Sequence, residues 1–109
     1  MATIYKVLGQ SSPAAQTSTD LYTVPSSNST VCSTIVACNR GASTTFRISV
    51  RPNGAALANQ HYIVYDNYVN QYDTVFLTLG MTLAANDVVT VYNNANTISF
   101  SLFGSEITP

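Results

Sequence analysis

Charged side chains are scarce in this chain of 109 residues. Four Lys and Arg and five Asp and Glu make up 8% of it, where a globular domain averages about 25%. A net charge of −1 excludes a general electrostatic pull toward DNA, RNA or an anionic membrane. Three Arg and one Lys are also too few for the many phosphate contacts a nucleic-acid site requires. Long apolar runs are missing too. The longest, "TVFLTLGMTLAA", is about a dozen residues interrupted by Thr and Gly, against the ~20 needed to span a bilayer. The opening "MATIYKVLGQ" lacks a basic segment followed by an apolar one, so no signal peptide is expected. Cysteine is limited to Cys32 and Cys38. On an extended strand they lie about 20 Å apart, beyond the ~7 Å reach of a disulfide. With one distant His they make no zinc pattern, and two buried thiols acting as small hydrophobes are expected.

Catalytic chemistry is equally thin. The only His is His61, and no Gly-x-Ser-x-Gly elbow surrounds any serine. A pairing of His61 with Asp66 would place the two on opposite sides of a strand. Asp20 and Asp87 fall where turns are expected, which Asx-type hydrogen bonding explains. Asp66 and Asp73 bracket "NYVNQY" without the spacing of a calcium loop, and no glycine-rich phosphate loop is present. Asn28-Ser29-Thr30 is a formal glycosylation sequon with nothing else to support it. No catalytic residue, metal site or cofactor is assigned.

Apolar residues reach 46%, enough to bury a core and exclude disorder. Their arrangement is that of strands: short β-branched runs, period two, repeatedly stopped by turn residues. The runs are "TIYKVLG", "LYTVP", "TVCSTIVACN", "TTFRISVR", "HYIVYD", "DTVFLTLGMTL", "DVVTVYN" and "TISFSLFGSEI". "PNG" at 52–54 marks a turn, and "AALANQ" after it is too short and uncapped for a stable helix. With no crossover helix, parallel α/β folds are excluded. The expectation is one all-β domain over residues 1–109, a β-sandwich or jelly-roll-like barrel of about eight strands. Monomers this small rely on charge for solubility, so part of the surface is expected to be hidden in an assembly.

Two clusters stand out as candidate interfaces. Arg40, Arg47 and Arg51 are three of the four basic residues. Arg40 lies in a turn, while Arg47 and Arg51 alternate with Phe46, Ile48 and Val50 and face away from the core. Spaced about 13 Å apart on a strand, the latter two cannot clasp one phosphate. They are either a solvated face or separate forks for carboxylates of a neighbouring chain. The second cluster is Tyr62, Tyr65, Tyr68 and Tyr72. Strand packing, a subunit interface and a sugar-stacking platform are all open to it. Period two puts Tyr62, Tyr68 and Tyr72 on one face and Tyr65 on the other.

Several blocks together, "YKVLGQ" (5–10), "LYTVP" (21–25), "CNRG" (38–41), "FRISVRP" (46–52), "HYIVYD" (61–66), "LTLG" (77–80), "DVVTVY" (87–92) and "LFGSEIT" (102–108), resemble a group of small virion structural proteins of tailed bacteriophages, including those of cyanobacteria. The resemblance runs from Tyr5 nearly to the C-terminus and carries no residue-level functional motif. It implies an architectural role: a capsid decoration (cement) protein on the outer surface of the virion, with the major capsid protein and copies of itself, as a homotrimer, for partners. The alternative is a tail-fibre, baseplate or spike component that meets the host surface. Neither reading involves an enzyme, nucleic acid or a membrane.

Overall fold

In "TTFRISVR" the alternation is complete enough to orient a whole sheet. Phe46 and Ile48 are fully buried and Val50 packs against them, while Arg47 and Arg51 lie on the opposite face. The computed structural model describes residues 2–109 and contains nine strands: β1 (Ala2–Ser11), β2 (Thr19–Thr23), β3 (Ser29–Asn39), β4 (Thr44–Arg51), β5 (Tyr62–Val69), β6 (Thr74–Leu77), β7 (Met81–Leu83), β8 (Val88–Asn93) and β9 (Ile98–Thr108). One sheet runs β1-β9-β3-β6, with β7 also pairing β3; the other runs β2-β8-β4-β5. All pairs are antiparallel. The two sheets stay separate, so the architecture is a sandwich and not a closed barrel.

The core lies between the sheets. Ile35 and Ala37 of β3, with Ile98, Phe100 and Leu102 of β9, meet Phe46 and Ile48 of β4 and Val89 and Val91 of β8. Phe46 and Phe100 touch edge to face across the gap, with ring centroids 5.9 Å apart, a geometry favoured by the ring quadrupoles. At one end the buried side chain of Asn39 ties three loops together. Its Nδ2 donates to the carbonyls of Ala42 and Asn70, and its Oδ1 accepts from the Gly41 amide and the Thr97 hydroxyl.

A second polar knot closes the sandwich near β1. The Tyr22 hydroxyl donates to Glu106 Oε2 at 2.5 Å, and its oxygen lies 2.8 Å from Thr30 Oγ1. Because Tyr22 has one proton and gives it to the carboxylate, the Thr30 hydroxyl is the donor to Tyr22. Lys6 Nζ completes the set at 3.3 Å from Glu106 Oε1. The hydrogen bond from Tyr22, then that from Lys6, holds Glu106 below the ordinary carboxylate range against the opposing effect of its burial. Burial and the same carboxylate push the Tyr22 phenol up.

Departures from simple alternation set the details. In β3 an extra residue near Ser33 shifts the register against β9. Thr30 and Cys32 face the core before it, and Ile35, Ala37 and Asn39 face it afterwards. Opposite this bulge the chain needs glycine, since a Cβ on Gly104 would sit 2.1 Å from the carbonyl oxygen of Val31. The expected single strand "DTVFLTLGMTL" is two, because Gly80 at φ +63° turns the chain between them. β6 then pairs with Ile35–Cys38 and β7 with Thr30–Cys32. Among the described residues the only helical elements are single 3-10 turns at Pro52–Gly54 and Asn59–His61.

Candidate functional site

The three arginines do not form one site. Arg40 leaves the end of β3 and braces loops: its Nε donates to Ser99 Oγ, and one terminal nitrogen donates to Ser12 Oγ and the Asn96 carbonyl. Arg51 crosses the outer face of the β2-β8-β4-β5 sheet. It meets Asp20 at 2.8 Å, Thr90 Oγ1 at 3.1 Å and the Ala55 carbonyl at 3.0 Å. Arg47, on the same face, forms a two-pronged pair with Asp66, 2.6 Å from Nε to Oδ1 and 3.3 Å from the terminal nitrogen to Oδ2. That bonding holds Arg47 firmly protonated and Asp66 below its ordinary range. Asp20 therefore lies within a strand as an ion-pair partner, correcting the expected turn. Asp87 does serve a turn, accepting the amides of Ala84 and Asn53.

The tyrosines converge because β5 is irregular. Tyr62 pairs with Ser49, Val64 with Ile48, Asn67 with Phe46 and Tyr68 with Thr45, so two register shifts interrupt the ladder. Ile63 is an extra residue at one shift. Tyr65 and Asp66 together oppose Arg47 at the other, with Asp66 at φ +52°. Each bulge resets the alternation. The expectation that Tyr65 points away from Tyr62 is thus corrected: their rings meet edge to face with centroids 4.9 Å apart. The Arg47 guanidinium sits between Tyr65 and Tyr92, 4.2 and 4.5 Å from the two ring centres. This stack, Tyr62–Tyr65–Arg47–Tyr92 with Asp66 at its rim, orders both the arginine and the rings. Tyr68 is exposed on β5, and Tyr72, 74% exposed, stands in the following turn at φ +59°.

The distribution of exposed apolar side chains was hidden from the sequence. Ile4, Tyr5 and Val7 are exposed on β1, with Tyr5 at 84%. Ile63, Tyr65, Tyr68, Tyr72, Phe76 and Leu79 are exposed along β5, β6 and the segments joining them to their neighbours. β1 is one edge of its sheet and β6 the other, and β5 is an edge strand of the second sheet. Most exposed apolar groups therefore lie on edge strands or the turns beside them, with Tyr5, Val7 and Phe76 on the outer face of the β1-β9-β3-β6 sheet; Leu57 is exposed in the loop before His61. Tyr5, Val7 and Phe76 carried no sequence signal beyond strand propensity, because edge position depends on pairing order.

No charged side chain is left over among the described residues. Lys6 pairs with Glu106, Arg47 with Asp66 and Arg51 with Asp20. Arg40 is held by hydroxyls and a carbonyl, Asp73 accepts the Thr74 amide, and Asp87 caps the 84–87 turn. His61 is buried, its Nδ1 accepting the Ala58 amide, and Asp66 is engaged by Arg47. No group of three or more metal-binding side chains occurs among the described residues. Cys32 is buried, and desolvation pushes its thiol up to about 11. Cys38 is only half-buried, a correction to the expectation of two core thiols; both are free. No protein-family model, curated protein or solved structure matches the chain.

Proposed function

We propose that this protein is a virion structural protein of a tailed bacteriophage, a capsid decoration protein that binds the assembled major capsid shell from outside. The observation that carries the reading is the contrast on its surface. Every charged side chain among the described residues is engaged within the chain, while ten large apolar side chains stand exposed. Such a surface suits broad, neutral contact with other protein subunits, and scattered single apolar residues would not need that explanation. The resemblance of its sequence blocks to small virion proteins is consistent with the same kind of role. Arg47 and Arg51 belong to it as rigid parts of a packed face, since their charges already have partners.

Purified chain added to isolated heads and to isolated tails tests the proposal. Saturating attachment to heads, at a stoichiometry set by the shell lattice, is the expected result. Decoration of tails with heads left bare would overturn it.

One feature favours a second reading, a host-surface component of the tail. The ordered Tyr62–Tyr65–Arg47–Tyr92 stack is a shallow aromatic surface with polar groups at its rim, the chemistry of a sugar platform. Glycan-array binding lost on Tyr65→Ala would favour it.

A further inference from the structure

One cation has no counter-charge. Lys6, Arg47 and Arg51 each meet a carboxylate, whereas Arg40 is held by two hydroxyls and a carbonyl and has no carboxylate partner among the described residues. From this charge and the cleft beside it we infer a binding site for a phosphate or sulfate group, between the end of β1 and the start of β9. The strands place its parts. β9 sends Ile98, Phe100 and Leu102 into the core, so Ser99 and Ser101 face outward. β1 runs alongside, Gln10 against Ser101 and Ser11 against Phe100. An open cleft of about 320 Å³ lies there, lined by Gln10, Ser11, Ser12, Ser99, Phe100 and Ser101. Arg40 reaches its wall from the end of β3, its Nε 2.9 Å from Ser99 Oγ and its Nη2 2.8 Å from Ser12 Oγ.

Hydrogen-bond accounting sets the polarity of the cleft. Ser12 and Ser99 accept from the guanidinium, and Ser101 accepts from Gln10 Nε2 at 3.4 Å. A hydroxyl that accepts still has its own O–H to give, and none of the three finds an acceptor among the described residues. Nη2 spends its other N–H on the Asn96 carbonyl, which leaves Nη1 with both of its own. The cleft therefore gathers hydroxyl and guanidinium donors around one uncancelled positive charge. Donors in surplus beside a cation suit an oxyanion. They outnumber the two oxygens of a carboxylate, whereas a phosphate group brings three acceptor oxygens.

Size and charge limit the ligand. The cleft is at the small end of ligand pockets, which span about 300–1,000 Å³. With a single cation it suits one anionic group and not a nucleic-acid strand, which needs many phosphate contacts. Arg40 is exposed, so salt screens its attraction. Millimolar binding that weakens as ionic strength rises is expected. In the free protein water takes the open donors, and a group that reproduces its bonds displaces it without loss. The site needs no shell, so failure to bind heads would remove the decoration reading and leave this one untouched.

The test is a titration of isotope-labelled full-length chain, followed by amide chemical shifts at low ionic strength. The probes are inorganic phosphate, sulfate, glycerol phosphate and acetate, with chloride matched for ionic strength. Phosphate and sulfate should shift the amides of Ser12, Arg40, Ser99 and Ser101, which acetate and chloride leave in place. Glycerol phosphate binding more tightly than inorganic phosphate would identify the ligand as a monoester on a larger molecule; equal binding would identify it as the free ion. Arg40→Gln should abolish the shifts. Because Arg40 also braces loops, a second variant spares it: Ser101→Ala removes one donor that Arg40 does not touch. It should weaken phosphate about fivefold, the worth of one hydrogen bond. No shift with phosphate, shifts centred on Arg47 or Arg51, shifts that survive Arg40→Gln, or acetate matching phosphate would each overturn the inference.

Discussion

Replacing Tyr22 with Phe tests how the sandwich is closed at its β1 end. The substitution keeps the ring, which is buried, and removes one oxygen. Glu106 Oε2 then loses a 2.5 Å donor, and the buried Thr30 hydroxyl loses its acceptor. A hydrogen bond to a charged group is worth about 1.5–3 kcal/mol, and stranding a buried hydroxyl adds about 1 kcal/mol. The expected loss is thus about 2.5–4 kcal/mol, a large share of the ~5–15 kcal/mol that holds a domain together. In a thermal melt it corresponds to a fall of about 10–20 °C. The loss should also depend on pH. Glu106 has a folded pKa depressed below its ordinary 4.5, so the stability it contributes is present above that value and disappears as pH falls through the folded pKa. Urea denaturation of wild type and Tyr22→Phe from pH 7 down to about pH 3 should show the two curves converging on the acid side. Subtracting the curves cancels the contribution of Asp66, whose folded pKa is also lowered. A penalty below about 0.5 kcal/mol, or one equal at both ends of the range, would refute the reasoning.

Two further outcomes follow from the core. Phe100→Ala removes a fully buried ring and one half of the edge-to-face pair with Phe46; denaturant titration should show a loss of about 3–5 kcal/mol. Thiol alkylation followed by mass spectrometry should label Cys38 first. Cys32, buried and with its thiol pushed up to about 11, should react only as the chain unfolds, and equal rates under native conditions would contradict the packing described.

The chain's all-β character follows from its own pattern: short β-branched runs separated by turn residues, with no stretch long enough to make a helix. The orientation of β4 was equally plain, because Phe46, Ile48 and Val50 alternate with Arg47, Ser49 and Arg51 without interruption. Where strict alternation fails, the sequence misleads. The bulges in β5 moved Tyr65 onto the face of Tyr62, and the one near Ser33 exchanged the faces of β3 partway along. A bulge is set by pairing with a partner strand, and partner identity is a long-range property with no local signature. The same reason kept the arginines ambiguous. Their spacing showed that they could not share a phosphate, but only the folded chain brings Asp66, 19 residues from Arg47, and Asp20, 31 residues from Arg51, into bonding distance. Scarcity of charge was visible in the sequence; that every charged side chain among the described residues is engaged within the chain, and that most exposed apolar groups fall on edge strands and the turns beside them, was decided by how the strands pair.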